Sequence, residues 1–381
     1  MFSFNLGASV RYAVQVLDQA GRIVRRLPAK NNLILDSGLD LVATNYWANL
    51  FAQAVVGTGT TAVKRDSAAV TFSRSGTTVT ASAGFFEAGD VGRLLKFDSG
   101  EEMYVITFTD STHVEVDTSG TLAASEGTIW YVDQTGLTTE TKRTGTFGTD
   151  SGDNGTSYAA GVFTMKRTFL FSTETGPITY NEVGWSYTAS AGNNLFGRDI
   201  ISGGVSLVAG QQLKIIVELS IDLSPKSSTA YTNVITGWSQ NGAFGIESVP
   251  TDIYTMSYVD AAGSTVSPGI FDPAAAVALV TLSTMTDAIS AITQTDLGLT
   301  GILKQNAAAG SSYITGSRER FFTANFALSE GNSTSIRSIG FHRNGNSRRS
   351  LRVLLDAAET KDSSHTLAIT FRLGWNRVLT N

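Results

Sequence analysis

The sequence predicts a mainly β protein: two related antiparallel β-sandwich domains with a small inserted β-domain and a few helices. Three observations predict it. Charged residues make up only 16% of the chain against 42% hydrophobic, and β-branched and aromatic residues, which suit a pleated half-buried surface, are abundant. Strict period-two alternation recurs, as in Leu213, Ile215, Val217 and Leu219. Residues 167–223 also resemble residues 320–375, so one pattern of strands occurs twice. The 381 residues leave room for more than one core.

Taken in order, Val10, Tyr12, Val14 and Val16 alternate onto one face, and "DQAG" at 18–21 reads as the turn into a second strand. Asp36 or Ser37 then suits a helix cap. Leu39, Val42, Tyr46 and Leu50 follow at spacings of three and four, which predicts a helix over about 37–55 closed by Gly57. Residues 68–132 read as a β unit of their own. "AVTFSRSGTTVTAS" forms two short strands meeting at Ser75-Gly76, "EEMYVITFTDSTHVEVD" forms a hairpin, and "GTIWYV" closes the unit. The expected domains are therefore 1–67 plus 133–223, an insertion at 68–132, and 224–381.

The repeat is specific in register. Val183-Gly184-Trp185 matches Ile339-Gly340-Phe341, Arg198 matches Arg352, and the strand 213–219 matches 367–373. Between the copies, Asp272 and Pro273 open a helix-like stretch reaching Gly298, and residues 303–317 read as a loop.

Several chemistries are weighed against this frame. The chain has no cysteine, which excludes disulfides, thiolate metal sites and cysteine catalysis. Its three histidines, His113, His342 and His365, have no metal-ligand spacing. No G-x-S-x-G elbow occurs, and Glu101-Glu102, adjacent on a strand, point to opposite faces. "VVGTGTTAVKRD" at 55–66 carries a G-x-G, but it follows the expected helix instead of preceding one, and no G-K-[ST] completes it. "TDSGDNG" at 149–155 places Asp150, Asp153 and Asn154 in a calcium-like loop without its closing acid. The reading therefore expects no enzyme activity, no cofactor and no metal.

Two binding candidates remain. Residues 318–381 hold ten Lys/Arg against five Asp/Glu, a net of +5 on a chain of −5, which leaves −10 for the rest. Arg343, Arg348, Arg349 and Arg352 concentrate that charge and are the candidate contact to a neighbouring subunit or other anion. Trp238 is the candidate glycan contact. Trp47 and Trp130 are lesser choices, and Trp185 and Trp375 fall on expected core strands. The overall charge gives no reason to expect nucleic-acid binding. No targeting segment is visible, and the best apolar run, at 274–280, is too short for a membrane span.

The segments "NNLILDSGLDLVATNYWANLFAQAVVGTGTT", "LTTETKR" and "YNEVGWSY…NNLFGRDII…VSLVAGQQLKIIVELSI" resemble tailed-bacteriophage virion proteins of the tail, tail fibre or baseplate. The insertion separates the G-T-G-T-T loop from Leu137, Glu140 and Arg143 of the second motif, and is itself similar to small β-modules of such proteins. The resemblance covers about residues 1–223. It implies a structural subunit located in the virion, partnered by copies of itself as a trimer or hexamer and by other virion proteins. A receptor-binding module on host surface glycans and a head-decoration protein are the alternatives it leaves open.

Overall fold

The computed structural model describes residues 2–45, 47, 49–150, 152–159, 162–192, 194–222, 229–232, 241–246, 277–284, 302–343 and 349–379. The protein is mainly β with few helices, in one large curled sheet of 18 strands and a second sheet of six. The chain opens with β1 (Phe2–Leu17), β2 (Ile23–Arg26), β3 (Lys30–Ile34), the one-turn helix α1 (Asp36–Leu41), a 3₁₀ turn (Asn49–Phe51) and β4 (Gln53–Gly57). The smaller sheet follows: β5 (Lys64–Asp66), β6 (Phe72–Ala81), β7 (Leu94–Phe97), β8 (Glu102–Asp110), β9 (His113–Ser125) and β10 (Gly127–Trp130). The large sheet resumes with β11 (Glu140–Thr144), β12 (Gly155–Ala159), β13 (Val162–Leu170), β14 (Ile178–Ser186), β15 (Leu195–Leu207) and β16 (Gln212–Asp222). It ends with β17 (Thr229–Thr232), β18 (Asn241–Ile246), β19 (Val277–Ser283), β20 (Ile302–Gly310), β21 (Glu319–Phe326), β22 (Ser333–Arg343), β23 (Arg349–Lys361) and β24 (Leu367–Arg377).

The two copies of the repeat share one register. In the first, Gly184 on β14 faces Arg198 on β15, while Val183 faces Val56 on β4. In the second, Gly340 on β22 faces Arg352 on β23, while Ile339 faces Leu282 on β19. β4 and β19 are therefore equivalent strands. So are β3 and β18, which pair with β15 and β23 at matching positions. The inward residues of β16 and β24 are buried in step, Leu213 to Ile221 and Leu367 to Trp375.

β1 ties the copies together. Its Gly7–Leu17 stretch pairs antiparallel with β16, and its Phe2–Ala8 stretch pairs with β24 in the one parallel ladder among the described strands. A single hydrophobic core runs beneath both copies, from Val10 and Trp185 to Phe341 and Trp375. The Trp375 indole N–H donates to the Leu39 carbonyl at 2.8 Å across the junction. The six-stranded sheet keeps a separate core around Phe72, Phe97, Met103 and Ile129. A third apolar seam, including Leu33, Val55, Trp130 and Leu379, joins it to the body.

Four sequence expectations are corrected. The helix over 37–55 is only α1; the chain then turns and enters β4. The apolar stripe is real, since Leu39, Val42 and Leu50 are all buried, but β4 is an apolar run whose pairing with β11 and β14 outweighs helix periodicity. Gly57 consequently ends a strand, not a helix. In the helix-like stretch after Asp272, residues 277–283 form β19, and 285–298 lie outside the described residues. The loop expected at 303–317 is mostly β20, where Ala307–Ala309 pair with β19 despite the low strand preference of alanine. Ser75-Gly76 is no turn: β6 runs on through a bulge there, with Gly76 at φ +64°.

Candidate functional site

Two ligand-like loops of the sequence, at 55–66 and 149–155, already hold a side chain of the protein. Glu182 on β14 lies opposite Gly57 and is fully buried. Its carboxylate accepts backbone N–H bonds from Gly59 (3.1 Å), Thr138 (3.0 Å) and Thr139 (2.7 Å). Arg198 on β15 donates to it at 3.0 Å and also to the Thr61 carbonyl. The glycines are needed for this approach: a Cβ at Gly57 would lie 2.6 Å from the carboxylate, and one at Gly59 would collide with it. The G-T-G-T-T loop is thus an anion cradle whose anion is Glu182. Burial pulls the Arg198 guanidinium below its ordinary pKa, against the opposing charges of Glu182 and Asp199. Nearby, Glu140 and Arg143 bond each other, and Arg143 reaches the Thr188 carbonyl.

The calcium-like loop is filled in the same way. Lys214 on β16 places its ammonium 2.9 Å from Asp153 and 3.3 Å from Asp150. Burial works against its charge, but the hydrogen bonds it donates to both carboxylates, and their negative charge, hold its pKa above the ordinary lysine value. The Asn154 amide is spent on the Thr168 N–H and the Gly148 carbonyl.

A third polar cluster joins the two copies and the insertion. Asp36 in α1 accepts hydrogen bonds from Arg318, from Arg377 on β24 and, at 2.9 Å, from the Tyr104 hydroxyl on β8. Asp40, one turn on, takes the Tyr313 hydroxyl and the Gly316 N–H.

Beside these filled sites lies an open cleft, one of several among the described residues. It encloses about 480 Å³ between the small sheet and the body. β5 and β10 supply Lys64, Asp66 and Trp130, the body supplies Val10, Lys30, Asn32 and Asp199, and the chain end adds Val378 and Leu379. Asp199 accepts from the Tyr12 hydroxyl (2.9 Å) and from Lys30 (3.3 Å). Burial raises its carboxyl above the usual range, and the Lys30 charge offsets only part of that. Burial pushes Asp66 up as well, but hydrogen bonds from Lys64 and Thr128 outweigh it and leave Asp66 low. Lys64 also stands 5.1 Å over the Trp130 ring. Two carboxyls with pKa values pushed apart are the raw material of acid–base catalysis. Here each one instead accepts hydrogen bonds from its own lysine, which fits holding a ligand better than giving up a proton.

Of the residues singled out from sequence, Trp130 and the end of the 55–66 stretch line this cleft, whereas the favoured candidates are not among its lining residues. Arg343, Arg349 and Arg352 occupy strand positions on β22 and β23, while Arg348 and Trp238 lie outside the described residues. Trp47, Trp185 and Trp375 are core. His113 and His365 close the local D-S-T-H and D-S-S-H turns against Asp110 and Asp362. Sequence reasoning missed the pairing of Lys64 with Trp130. Its available signal was a Lys-Arg-Asp strand facing a Trp-bearing strand in one small unit. Among the described residues no group of three His, Cys, Asp or Glu is placed to hold a metal ion, and no helix is long and apolar enough to cross a membrane. Comparison of the chain with protein-family models, with curated proteins and with solved structures finds no match.

Proposed function

We propose that this chain is a non-enzymatic structural subunit of a bacteriophage tail or of its attachment apparatus. It would assemble through its sandwich surfaces into a trimer or hexamer. One observation carries the reading. The two loops whose composition suits a ligand are occupied internally, by Glu182 and by Lys214. Polar groups spent on internal ties give rigidity and leave nothing there for turnover. The β1 strand adds to this by welding both copies into one body through two ladders. Such a body presents fixed edges and loops to its neighbours.

The test is localisation and mass. Gold-labelled antibody against the chain should decorate the tails of intact particles, and light scattering of the purified protein should give three or six copies. Labelling absent from particles, or a monomer at high concentration, would remove the proposal. A receptor-binding module is the second reading, and the cleft beside Trp130 is the observation that favours it.

A further inference from the structure

Two positions of the second copy hold ionisable side chains where the first copy is apolar. In the first copy Val205 on β15 faces Tyr180 on β14, and Val205 and Leu207 are both buried. In the second, Glu359 on β23 faces Ile336 at the equivalent place on β22, and Lys361 follows two residues later, as Leu207 follows Val205. Residues two apart on a strand share a face, so Glu359 and Lys361 project together. Lys361 is only 3% exposed. Its partners among the described residues are all neutral oxygens: the Ala327 carbonyl at 2.8 Å, the side-chain carbonyl of Asn332 at 2.8 Å and the Asp362 carbonyl at 3.4 Å. Oε1 of Glu359 is buried as well and has no hydrogen-bond partner.

A tie to the turn before β22 accounts for the Ala327 contact. It does not account for an ammonium at a core position without a counter-charge, nor for an unmatched carboxylate oxygen on the same face. An amine, an amide and a carboxylate placed in this way are the parts of a self-made cross-link. A lysine amine becomes a nucleophile once a neighbouring base takes its proton, and a hydrogen bond to the amide oxygen already holds it beside the amide carbon.

We propose that Lys361 and Asn332 join through a spontaneous amide bond, with Glu359 carrying the protons. Glu359 takes one proton from the Lys361 ammonium, and the lone pair freed on Nζ attacks Cγ of Asn332. Glu359 then protonates Nδ2, the Cγ–Nδ2 bond breaks as the carbonyl re-forms, and ammonia leaves. The excess proton on Nζ passes to Glu359 and departs with the ammonia as ammonium. Glu359 ends as a carboxylate, and no outside reagent is consumed. Asn332 is exposed just before β22, which gives the ammonia an exit. The bond ties the end of β23 to the start of β22 and closes the chain between residues 332 and 361. Such a closure narrows the unfolded ensemble as a disulfide would, in a chain that has no cysteine. The reaction occurs once per chain and requires no turnover. It does not depend on the virion reading, and each can fail without the other.

Intact-mass spectrometry of the full chain tests it. The parent should weigh about 17 Da less than its sequence, the mass of one ammonia. Trypsin should release residues 321–337 and 353–372 as one branched species, uncut after Lys361. Lys361→Arg and Asn332→Ala should each keep the full mass and unfold at lower urea than the parent. Glu359→Gln should also keep the full mass while its circular dichroism matches that of the parent, a result that a merely structural glutamate would not give. The proposal is overturned if the parent keeps its full mass after prolonged incubation, if the loss persists in Lys361→Arg, which would mark a cyclised asparagine instead, or if Glu359→Gln cross-links as the parent does.

Discussion

The two copies of the repeat have the same frame and different centres. At the frame they agree closely. Lys142 meets Glu174 at 2.7 Å in the first copy, and Lys304 meets Glu330 at 2.8 Å at the equivalent place in the second. Thr144 bonds the Leu170 carbonyl where Asn306 bonds that of Asn325. At the centre they part. Glu182 faces Gly57 in the first copy, whereas Ser338 faces Ser283 in the second, their hydroxyls 3.1 Å apart. The first copy thus buries an ion pair where the second buries a neutral pair. The difference falls where the insertion leaves and re-enters the body. Glu182 grips Gly59 on the way out and Thr138 and Thr139 on the way back, and Arg198 grips Thr61. A buried charge pair is a poor source of net stability but a good clamp, because its partners cannot be exchanged cheaply.

The sharpest way to break the comparison is to strand one charge. Arg198→Met leaves the Glu182 carboxylate buried without its counter-charge, so it should destabilise the fold by about 3–5 kcal/mol in urea titration. Adding Glu182→Gln should recover part of the loss, since it removes the stranded charge and a neutral side-chain oxygen still accepts from the Gly59 and Thr139 N–H groups, at the cost of the Thr138 bond. The next effect is steric. Gly57→Ala pushes a methyl against the Thr139 carbonyl and Glu182, and should cost roughly 1–3 kcal/mol, as overpacking does. The second copy should tolerate the matching change. Ser283→Ala with Ser338→Ala removes a neutral pair and should cost about 1 kcal/mol or less. A loss as large as that of Arg198→Met would show that the two centres are not different in kind.

How much of this was legible follows from the range of the signals. The repeat register was readable because strand alternation is local, so matching Gly184 and Arg198 with Gly340 and Arg352 needed no structure. The strand pairings bear that match out. The helix expected at 37–55 failed for a physical reason. Residues 53–56 are nearly all buried, and an apolar run of that kind has no period that separates strand from helix. The G-T-G-T-T loop read as a plain loop and not as a phosphate cradle; that it cradles a carboxylate was not legible, because Glu182 sits more than a hundred positions from Gly59. The cleft was least legible. Trp130, Asp199 and Leu379 come from distant segments, and only the docking of the small sheet brings them together.

The smallest predicted effect probes the frame, where the copies agree. Glu330 takes hydrogen bonds from Lys304, from the Ala327 N–H and from Asn306, and these hold its carboxyl down to about 2 from an ordinary 4.5. A carboxyl with a depressed folded pKa contributes stability above the unfolded value and loses it as the pH falls through the folded one. The urea midpoints of the parent and Glu330→Gln should therefore differ by a constant amount above pH 4.5, and the gap should close as the pH falls to about 2. The gap should be small and should shrink further in molar salt, because this pair faces solvent. Its counterpart should behave differently. Glu174 is only 7% exposed and also accepts the Tyr180 hydroxyl at 2.7 Å. Glu174→Gln should thus cost more at neutral pH, and added salt should change that cost little. If the two variants respond alike to salt, the shared Lys–Glu geometry governs both sites; if they diverge as expected, burial sets the strength of the tie.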